Sequence, residues 1–383
     1  MSKRFAVIAG ARPNFMKVAP ILRAFTARGV QPLLVHTGQH YDAKMSGSFF
    51  EVLGLPAADV NFNVGSGTHA RQTAAVMIAF EEWAESQALD AVVVVGDVNS
   101  TMACAIAAAK IGLPIAHVEA GLRAFDRAMP EEVNRIVTDS LSTWLFAPSA
   151  DGCANLVAEG AEPARIHLVG NVMADSLFAS LDRARGRRPA ESLQLPARFG
   201  LITLHRPALV DDPDRLAMVL QAIAGVDPDV PFLFPVHPRT RANLRDALLD
   251  APNIRLTDPL DYLDFIALEE LAAVVVTDSG GVQEETTLLG TPCVTVRENT
   301  ERPITLTHGT NTLVGFDLER LRSAVSLALT SSRPSLPAIP LWDGGAAERI
   351  VDVLLADPPV VRFIPPGLSG AAGFDGPGAR YGT

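Results

Sequence analysis

Hydrophobic and polar residues alternate along the first half of the chain in a pattern typical of parallel strands separated by helices. Short, uninterrupted apolar runs predict strands at 5–9, 31–36, 91–95, 114–118, 144–147 and 166–169. Amphipathic stretches at 18–27, 68–87 and 100–111 have helical spacing. Strands buried on both faces read as continuous apolar runs, so this half predicts a parallel sheet covered by helices on both sides.

The same pattern restarts after a stretch with little periodicity. Residues 182–198 are rich in Arg, Pro and Ala, and an interdomain linker is predicted at 181–198. Further strands are predicted at 200–203, 232–236, 254–257, 272–277 and 292–296, and a last helix at 345–355. The predicted domains are therefore 1–180 and 199–345, then a helical segment at 346–364 that can pack back on the first domain. A Gly/Pro/Ala-rich tail at 365–383 is predicted to be disordered.

These elements predict an α/β fold with two Rossmann-like, doubly wound domains that face each other across a cleft. Open parallel sheets bind ligands in the crevice at the carboxyl ends of their strands. We therefore expect the site to lie between the domains, where residues that directly follow strands would meet.

Composition narrows the class of protein. At 383 residues with 48% hydrophobic and 20% charged positions, two globular domains are expected. A net charge of −11 argues against a general nucleic-acid partner. No apolar run approaches the ~18 residues that span a bilayer, so no membrane partner is expected. Three scattered cysteines, and a first apolar run better explained as a strand than as a signal peptide, predict a cytoplasmic protein.

Candidate chemistry in the first half follows its predicted strands. Arg12 and Lys17 lie at the turn after the first strand, where a helix beginning near residue 15 or 16 offers free N–H groups to an anion. Asp97 follows a run of valines. The simpler interpretation of Asp97 is a helix cap, and that of Arg12 is a solvated turn residue.

The densest polar segment spans 117–135. His117 and Glu119 point the same way at a strand end, and Glu131 and Arg135 share one face of the next helix. Glu119 and Glu131 could flank one bound sugar as a carboxylate pair for proton transfer. An ordinary helix start is the simpler interpretation of this segment.

The second half offers groups suited to a diphosphate. His205 and His237 each begin a His/Arg group after a strand, although a lone histidine is more often structural. Ser279, Gly280 and Gly281 form a small-residue turn before a helix, whose N–H groups can approach a diphosphate. Glu285, one turn later, could accept hydrogen bonds from ribose hydroxyls. The segment RENTERP at 297–303, which contains Arg302, adds polar groups.

Several familiar motifs are excluded. The segment at 278–281 resembles the nucleophile segment of trypsin-like proteases, but here it joins a parallel strand to a helix. The His117-x-Glu119 pair lacks the P-C-x-x-C of zinc deaminases. No Walker A motif occurs, and no cluster has metal-ligand spacing, so no metal is expected.

Together, these segments resemble the non-hydrolysing UDP-N-acetylglucosamine 2-epimerases. The matching segments, in family order to about residue 355, are GARPNFMKVAP, TGQHYD, GDVNST, HVEAGLR, MPEEVNR, HPRT, TDSGGVQEE, RENTERP, GTNTLVG and PLWDGGAAERIV. The resemblance implies a GT-B-like fold, a homodimer and reversible conversion of UDP-GlcNAc to UDP-ManNAc. The reaction would eliminate UDP to give a 2-acetamidoglucal and then re-add it, without cofactor or metal.

The resemblance also implies roles for individual residues. The catalytic residues would be Asp97, Glu119, Glu131 and His205. The substrate-binding residues would be Arg12, Lys17, Arg135, His237, Ser279, Gly280, Gly281, Glu285 and Arg302. An allosteric UDP-GlcNAc site would include Gln39, His40, Arg71 and Gln72.

Two departures from the family pattern leave the substrate and the allosteric site open. The family's His-Arg-x-Glu-Asn reads His205-Arg206-Pro207-Ala208-Leu209 here, and Asp42 replaces a usual glutamine near the allosteric residues. The substrate could be a modified sugar such as a UDP-diacetamido-uronic acid. The chain could also be a glycosyltransferase or an inactive nucleotide-sugar sensor.

Overall fold

Two parallel sheets organise the chain. The computed structural model describes residues 3–39, 52–236, 240–241, 244, 251–333 and 338–356. The first sheet has the strand order β3-β2-β1-β4-β5-β6-β7 and the second the order β10-β9-β8-β11-β12-β13, and the paired strands of both are parallel. Both orders step outward in two directions from a central strand. The predicted pair of doubly wound domains is therefore confirmed.

The strands of the first sheet are β1 Phe5–Ala9, β2 Leu33–His36, β3 Val60–Asn61, β4 Ala91–Val95, β5 Ile115–Val118, β6 Trp144–Ala147 and β7 Ile166–Leu168. Its helices are α1 Arg12–Ala27, α2 His69–Glu85, α3 Asn99–Lys110, α4 Pro130–Leu141 and α5 Ala150–Ala158. A connection follows, made of α6 Val172–Arg185 and α7 Pro189–Ser192.

The strands of the second sheet are β8 Gly200–Thr203, β9 Phe232–Pro235, β10 Ile254–Thr257, β11 Val274–Thr277, β12 Cys293–Thr295 and β13 Asn311–Leu313. Its helices are α8 Pro207–Val210, α9 Pro213–Ala224, α10 Tyr262–Leu271, α11 Gly280–Leu289, α12 Ile304–Thr307 and α13 Leu318–Thr330. The last described helix is α14 Ala346–Leu355.

Helix α1 begins earlier than the predicted position near residue 15. It starts at Arg12 because Pro13 fits the first turn, where no intrahelical N–H bond is needed. The side chain of Asn14 accepts hydrogen bonds from the N–H groups of Gly10 and Ala11 and donates to the carbonyl of Val95. The turn between β1 and α1 is thereby tied to the end of the neighbouring strand β4.

Two strands and part of the connection differ from the sequence prediction. Strands β3 and β13 lie at sheet edges and are too short and polar to show as apolar runs. Helix α6 continues to Arg185, into the stretch predicted as linker. The domain and linker boundaries themselves stay a prediction, and the tail at 365–383 lies outside the described residues.

Helices α6 and α14 join the two halves. Helix α6 packs against α1 on one side and against α10 and α11 on the other. Helix α14, at the far end of the chain, packs on α1 and α6. One apolar cluster accordingly includes Phe5, Ile266 and Ile350, from three distant parts of the sequence. None of the helices in the described ranges is both long and apolar enough to cross a membrane.

Candidate active site

A buried lysine–glutamate pair lies at the carboxyl edge of the first sheet. Lys17, in the second turn of α1, donates from Nζ to Glu119 Oε2 at 2.5 Å, and only 10% and 3% of their side chains are exposed. Gly96 follows β4 and lies beside them with φ +66°, and a Cβ there would lie 2.8 Å from Lys17 Nζ. A glycine at this position therefore leaves the space that the lysine occupies.

Glu119 has a strained backbone. Its φ is +73°, in the left-handed region that costs a side-chain-bearing residue about 1–3 kcal/mol. The N–H groups of Glu119 and Ala120 both donate to the carbonyl of Phe146 on β6, which holds the turn. Strain of this kind concentrates at functional sites, since the surrounding structure must enforce it.

A second charged group lies around Arg135, whose side chain is 2% exposed. Its guanidinium bonds to Asp97 and, at 2.5 Å, to Glu132 Oε2. The carboxylate of Glu132 also accepts from the N–H groups of Ala124 and Phe125 at 3.0 and 2.9 Å. Glu132 therefore fixes Arg135, and through it Asp97, relative to the loop that precedes α4.

Glu131 lies one residue earlier on α4 and faces the second half of the molecule. Burial and the nearby Arg297 lower the pKa of Arg206, whereas Glu301, Asp278 and Glu131 act in the opposite direction. Glu131 is half-buried and comes from the first half, whereas the others come from the second. The interaction places Glu131 at the cleft.

Arg302 joins both halves of the site. Its Nε lies 2.9 Å from Glu284 Oε1, its Nη1 donates to Glu301, and its Nη2 lies 4.0 Å from Glu119 Oε2. Gly280, at the N-terminus of α11, packs directly on it, because a Cβ there would lie 2.4 Å from Arg302 Nη1. Arg302 thus adjoins the helix N-terminus where an anion binds most readily.

His205 is held by a buried aspartate after β11. Asp278, 1% exposed, accepts from His205 Nδ1 at 2.9 Å and from the N–H groups of His205 and Arg206. Burial acts to raise the pKa of Asp278, but these hydrogen bonds lower it overall. The His205 side chain is 60% exposed, so its ring is available to a ligand.

Glu285 is more enclosed than its predicted ribose contact suggests. It is 3% exposed and accepts from the Tyr262 hydroxyl at 2.9 Å. Burial raises the pKa of Glu285 to about 8, and burial together with Glu285 raises the pKa of Glu269 well above its ordinary value. Neither carboxyl oxygen of Glu269 has a hydrogen-bond partner among the described residues. The ribose contact stays a prediction.

His117 has a structural role. Its ring is fully buried, with Nδ1 2.6 Å from Asp139 and Nε2 2.9 Å from the carbonyl of Gly96. It therefore supports the glycine beside Lys17 and does not reach the cleft.

The predicted allosteric residues fall into two groups. Gln39 and Gln72 are buried: Gln39 accepts from Ser100, and Gln72 accepts from Asn99 at 2.8 Å. Asn99 in turn accepts from Asn134, which also donates to the carbonyl of Asp97. The side chain of Arg71 is exposed. An allosteric role stays a prediction, but this network reaches the active-site loop.

The remaining predicted residues lie partly inside and partly outside the described ranges. The side chain of Arg12 and the residues His40, Asp42 and His237 lie outside the described part of the structure. Ser279 and Gly281 lie partly buried at the start of α11, consistent with contact to a ligand. Among the described residues, no group of three or more His, Cys, Asp or Glu side chains could hold a metal ion.

Sequence reasoning missed four residues that organise the site: Asn14, Glu132, Asn171 and Glu284. Glu132 and Glu284 each belong to a Glu-Glu pair near the start of a helix, in the first turn of α4 and the second turn of α11. Neighbouring helical residues point in different directions, so such a pair contains one candidate for the cleft and one anchor. Only the tertiary contacts distinguish them.

Comparison with known proteins matches this chain to UDP-sugar 2-epimerases, both by sequence and by structure. Residues 23–355 match a family model described as UDP-N-acetylglucosamine 2-epimerase. A UDP-N-acetylglucosamine 2-epimerase from Methanocaldococcus jannaschii is 40% identical over 92% of this chain and 98% of that protein. The UDP-2,3-diacetamido-2,3-dideoxy-D-glucuronate 2-epimerase of Pseudomonas aeruginosa is 39% identical over 92% of this chain and 99% of that protein. A crystal structure of the M. jannaschii enzyme with UDP-GlcNAc and UDP has a TM-score of 0.85 at 40% identity, covering 92% and 99% of the two chains.

Proposed function

Because this chain belongs to the UDP-N-acetylglucosamine 2-epimerase family, we propose that it interconverts UDP-GlcNAc and UDP-ManNAc. The observation that carries the proposal is the buried group Lys17, Glu119 and Arg302, which joins a carboxylate of one half to cations of both halves. Asp97 lies on the loop after β4, and Glu131 lies in the first turn of α4. Carboxylates beside phosphate-binding cations are what an elimination of UDP requires.

The chemistry follows from these groups. A carboxylate removes the proton at C2, the C1–O bond breaks, and UDP leaves with the electron pair, which gives a 2-acetamidoglucal. Lys17, Arg302 and the N-terminus of α11 stabilise the charge on the leaving diphosphate. UDP then adds back to C1 while a carboxylic acid delivers a proton to the opposite face of C2. Asp97, Glu119 and Glu131 are the candidates for the two proton transfers.

The experiment is proton NMR of UDP-GlcNAc with the protein in D2O. Epimerisation through a C2 carbanion or glycal exchanges the C2 proton with solvent. We expect UDP-ManNAc to form with deuterium at C2. Binding of UDP-GlcNAc without C2 exchange or UDP-ManNAc would refute the proposed reaction.

A second candidate substrate is a UDP-2,3-diacetamido-uronic acid. The P. aeruginosa relative that acts on such a sugar is almost as similar as the M. jannaschii one. The segment that departs from the family pattern forms α8, where Leu209 is 1% exposed and packs in the core of the second half. Leu209 therefore offers no polar group to a sugar. Parallel kcat/KM measurements on the two UDP-sugars decide between them.

We also propose that the chain forms a homodimer in the cytoplasm. An apolar groove lies between α2, α3 and α4, lined by residues that include Ala70, Met77, Met102 and Val133. Val133 is 44% exposed, and exposed apolar patches on globular proteins often mark interfaces. The three free cysteines are typical of a reducing compartment.

The dimer is tested by light scattering after size-exclusion chromatography. We expect twice the chain mass for the wild type and a shift to monomer for Val133→Asp, because the aspartate would have to be desolvated in the interface. A monomeric wild type would refute the dimer, and a dimeric Val133→Asp would refute this surface.

A further inference from the structure

A row of alternating charges crosses the cleft. Lys17 pairs with Glu119, Glu119 lies 4.0 Å from Arg302, and Arg302 lies 2.9 Å from Glu284. All four side chains are at most 10% exposed. The first two belong to the first half of the chain and the last two to the second, so the row exists only when the halves are together.

Glu119 Oε1 is buried without a hydrogen-bond partner among the described residues, and so is one carboxyl oxygen of Glu284. The Oε1 of Glu284 accepts from the Asn171 amide at 2.9 Å and adjoins Arg302. Its Oε2 is buried, and no described residue offers that oxygen a hydrogen bond. Burial raises the pKa of Glu284 to about 7, with Glu119 adding to the rise, whereas Arg302 and Lys17 act to lower it.

Among the direct ion pairs around Arg302 the cations and carboxylates are equal in number, and Asp97, which pairs with Arg135, adds a further negative charge nearby. The cations are Lys17, Arg297 and Arg302, and the carboxylates that pair with them are Glu119, Glu284 and Glu301. A diphosphate at the N-terminus of α11 would bring about two further negative charges next to Arg302. Arg302 would then have to compensate the phosphate and Glu284 at once.

The other carboxylates are poorly placed to relieve this excess. Burial opposes ionisation of Glu301, but the guanidinium groups of Arg302, Arg297 and Arg135 hold its pKa far below the usual range. Glu119 keeps its direct ion pair with Lys17. Glu285, on the same helix, points to Tyr262 and has a pKa already raised to about 8 by burial.

We propose that Glu284 takes up a proton from solvent, on its unpartnered Oε2, when the diphosphate of the substrate binds beside Arg302. Glu284 is then a positioning residue, since it acts by releasing Arg302 to the phosphate. The inference rests on the proposed function for the location of the diphosphate. It does not depend on turnover, because it concerns the binding step alone.

The proposal predicts how affinity changes with pH. Above about pH 7 the free protein has an ionised Glu284, so binding must be accompanied by protonation and weakens by up to about tenfold per pH unit. Well below pH 7 Glu284 is already protonated, and the affinity becomes independent of pH. The diphosphate of UDP-GlcNAc is doubly esterified and does not itself titrate in this range.

The experiment is calorimetric titration of UDP-GlcNAc into the full-length protein at about pH 8, in two buffers with different enthalpies of ionisation. The difference in observed enthalpy between the buffers gives the number of protons taken up. Heat from epimerisation is equal in both buffers and cancels. We expect uptake of roughly 0.5–1 proton per site in the wild type and little in Glu284→Gln.

Two matched variants identify the group. Glu269→Gln replaces another buried carboxyl that makes no ion pair with Arg302, and it should keep the wild-type uptake. Uptake that survives in Glu284→Gln but disappears in Glu119→Gln would place the proton on Glu119 and overturn the proposal. So would binding to the wild type without uptake. Failure of UDP-GlcNAc to bind at all would instead refute the proposed function.

If Glu284→Gln does not fold, Asn171→Ala tests the same claim. It removes the donor to Glu284 Oε1 and so destabilises the ionised carboxylate. The pH midpoint of UDP-GlcNAc affinity should rise in this variant. An unchanged midpoint would overturn the proposal.

Discussion

At the scale of single residues, the site depends on strained backbone, buried charges and close contacts to glycine. Glu119 has a left-handed backbone, a buried carboxylate and a lysine 2.5 Å away. Gly96 and Gly280 leave space for Lys17 and Arg302 that any larger residue would fill. Together these residues fix charged groups in place before a ligand arrives, which is the main way in which proteins stabilise developing charge.

Replacing either candidate acid/base carboxylate should separate binding from turnover. Glu119→Gln and Glu131→Gln keep the shape of the side chain but cannot accept or deliver the proton. We expect UDP affinity within a few-fold of wild type and turnover lower by roughly 10²–10⁴. Calorimetry with UDP and the NMR assay measure the two effects. Wild-type turnover in both variants would refute their role.

The two glycines of α11 should differ in their effect on stability. A Cβ at Gly280 would lie 2.4 Å from Arg302 Nη1, whereas one at Gly281 would lie 3.6 Å from Met173 Cε, an ordinary contact. Gly280→Ala should therefore lower Tm by several degrees and weaken UDP binding about tenfold or more, because Arg302 must move. Gly281→Ala should keep the wild-type Tm. Equal Tm values for the two variants would contradict this assignment.

At the scale of helices and strands, the polar contacts of the site are concentrated at the starts of three helices. Helix α4 offers Glu131 to the cleft and uses Glu132 to hold Arg135, and α11 begins beside Arg302. Asn171 precedes helix α6 and caps it by accepting from the N–H of Met173. The amide of Asn171 also donates to Glu284. The start of α6 is therefore coupled to the site, although α6 itself serves to join the two halves.

Removing helix caps inside and outside the site tests this coupling. Asn171→Ala and Asp317→Ala each delete an N-cap side chain, on α6 and α13, and each should cost about 1 kcal/mol of stability. Only Asn171→Ala should also change UDP affinity, since the Asp317 side chain accepts from the N–H groups of Glu319 and Arg320 of its own helix. Thermal unfolding and UDP calorimetry on both variants are the measurements. Equal UDP affinities would show that Asn171 acts as a cap alone.

At the scale of the whole molecule, the two halves share an apolar core, and buried carboxyl groups without a cationic partner lie next to it. Tyr262 and Ile266 of α10 pack in the same apolar cluster as β1 and α14. Just beside them, Glu269 is fully buried next to Glu285 with no cation among the causes that shift its pKa. Such a carboxyl stays protonated in the folded state, which makes stability depend on pH.

This dependence has a definite sign. The unfolded chain loses the Glu269 proton near its ordinary pKa of 4.5, whereas the folded protein keeps it, because burial and Glu285 raise the pKa. The free energy of unfolding therefore falls as pH rises above about 4.5. This decrease continues until the pH reaches the pKa that Glu269 has in the folded protein. Glu269→Gln removes this decrease. It should raise Tm by several degrees at pH 8 and hardly at all at pH 5.

The matched control is Glu81→Gln, which changes an exposed glutamate on α2 and should leave Tm unchanged at both pH values. Thermal unfolding without ligand measures both variants. A Tm gain for Glu269→Gln at pH 5 as large as at pH 8 would mean that the residue acts through packing and not through its proton.

The sequence by itself determined the apolar strands and the main helices, the parallel arrangement of the sheets, and the family. Short, valine-rich apolar runs such as β4 and β11 favour buried strands, and the polar residues after parallel strands meet at one edge of each sheet. The edge strands β3 and β13 were missed because two or three polar residues carry no periodic signal.

Only the tertiary structure decided which polar residues work together. Sequence placed Glu131 and Glu132, or Glu284 and Glu285, side by side, but their roles depend on contacts with Arg206, Arg302 and Tyr262 from elsewhere in the chain. The same holds for His117, whose burial against Asp139 makes it structural. Charge, burial and pKa arise from groups that are distant in sequence and adjacent in space, so no local pattern could have revealed them.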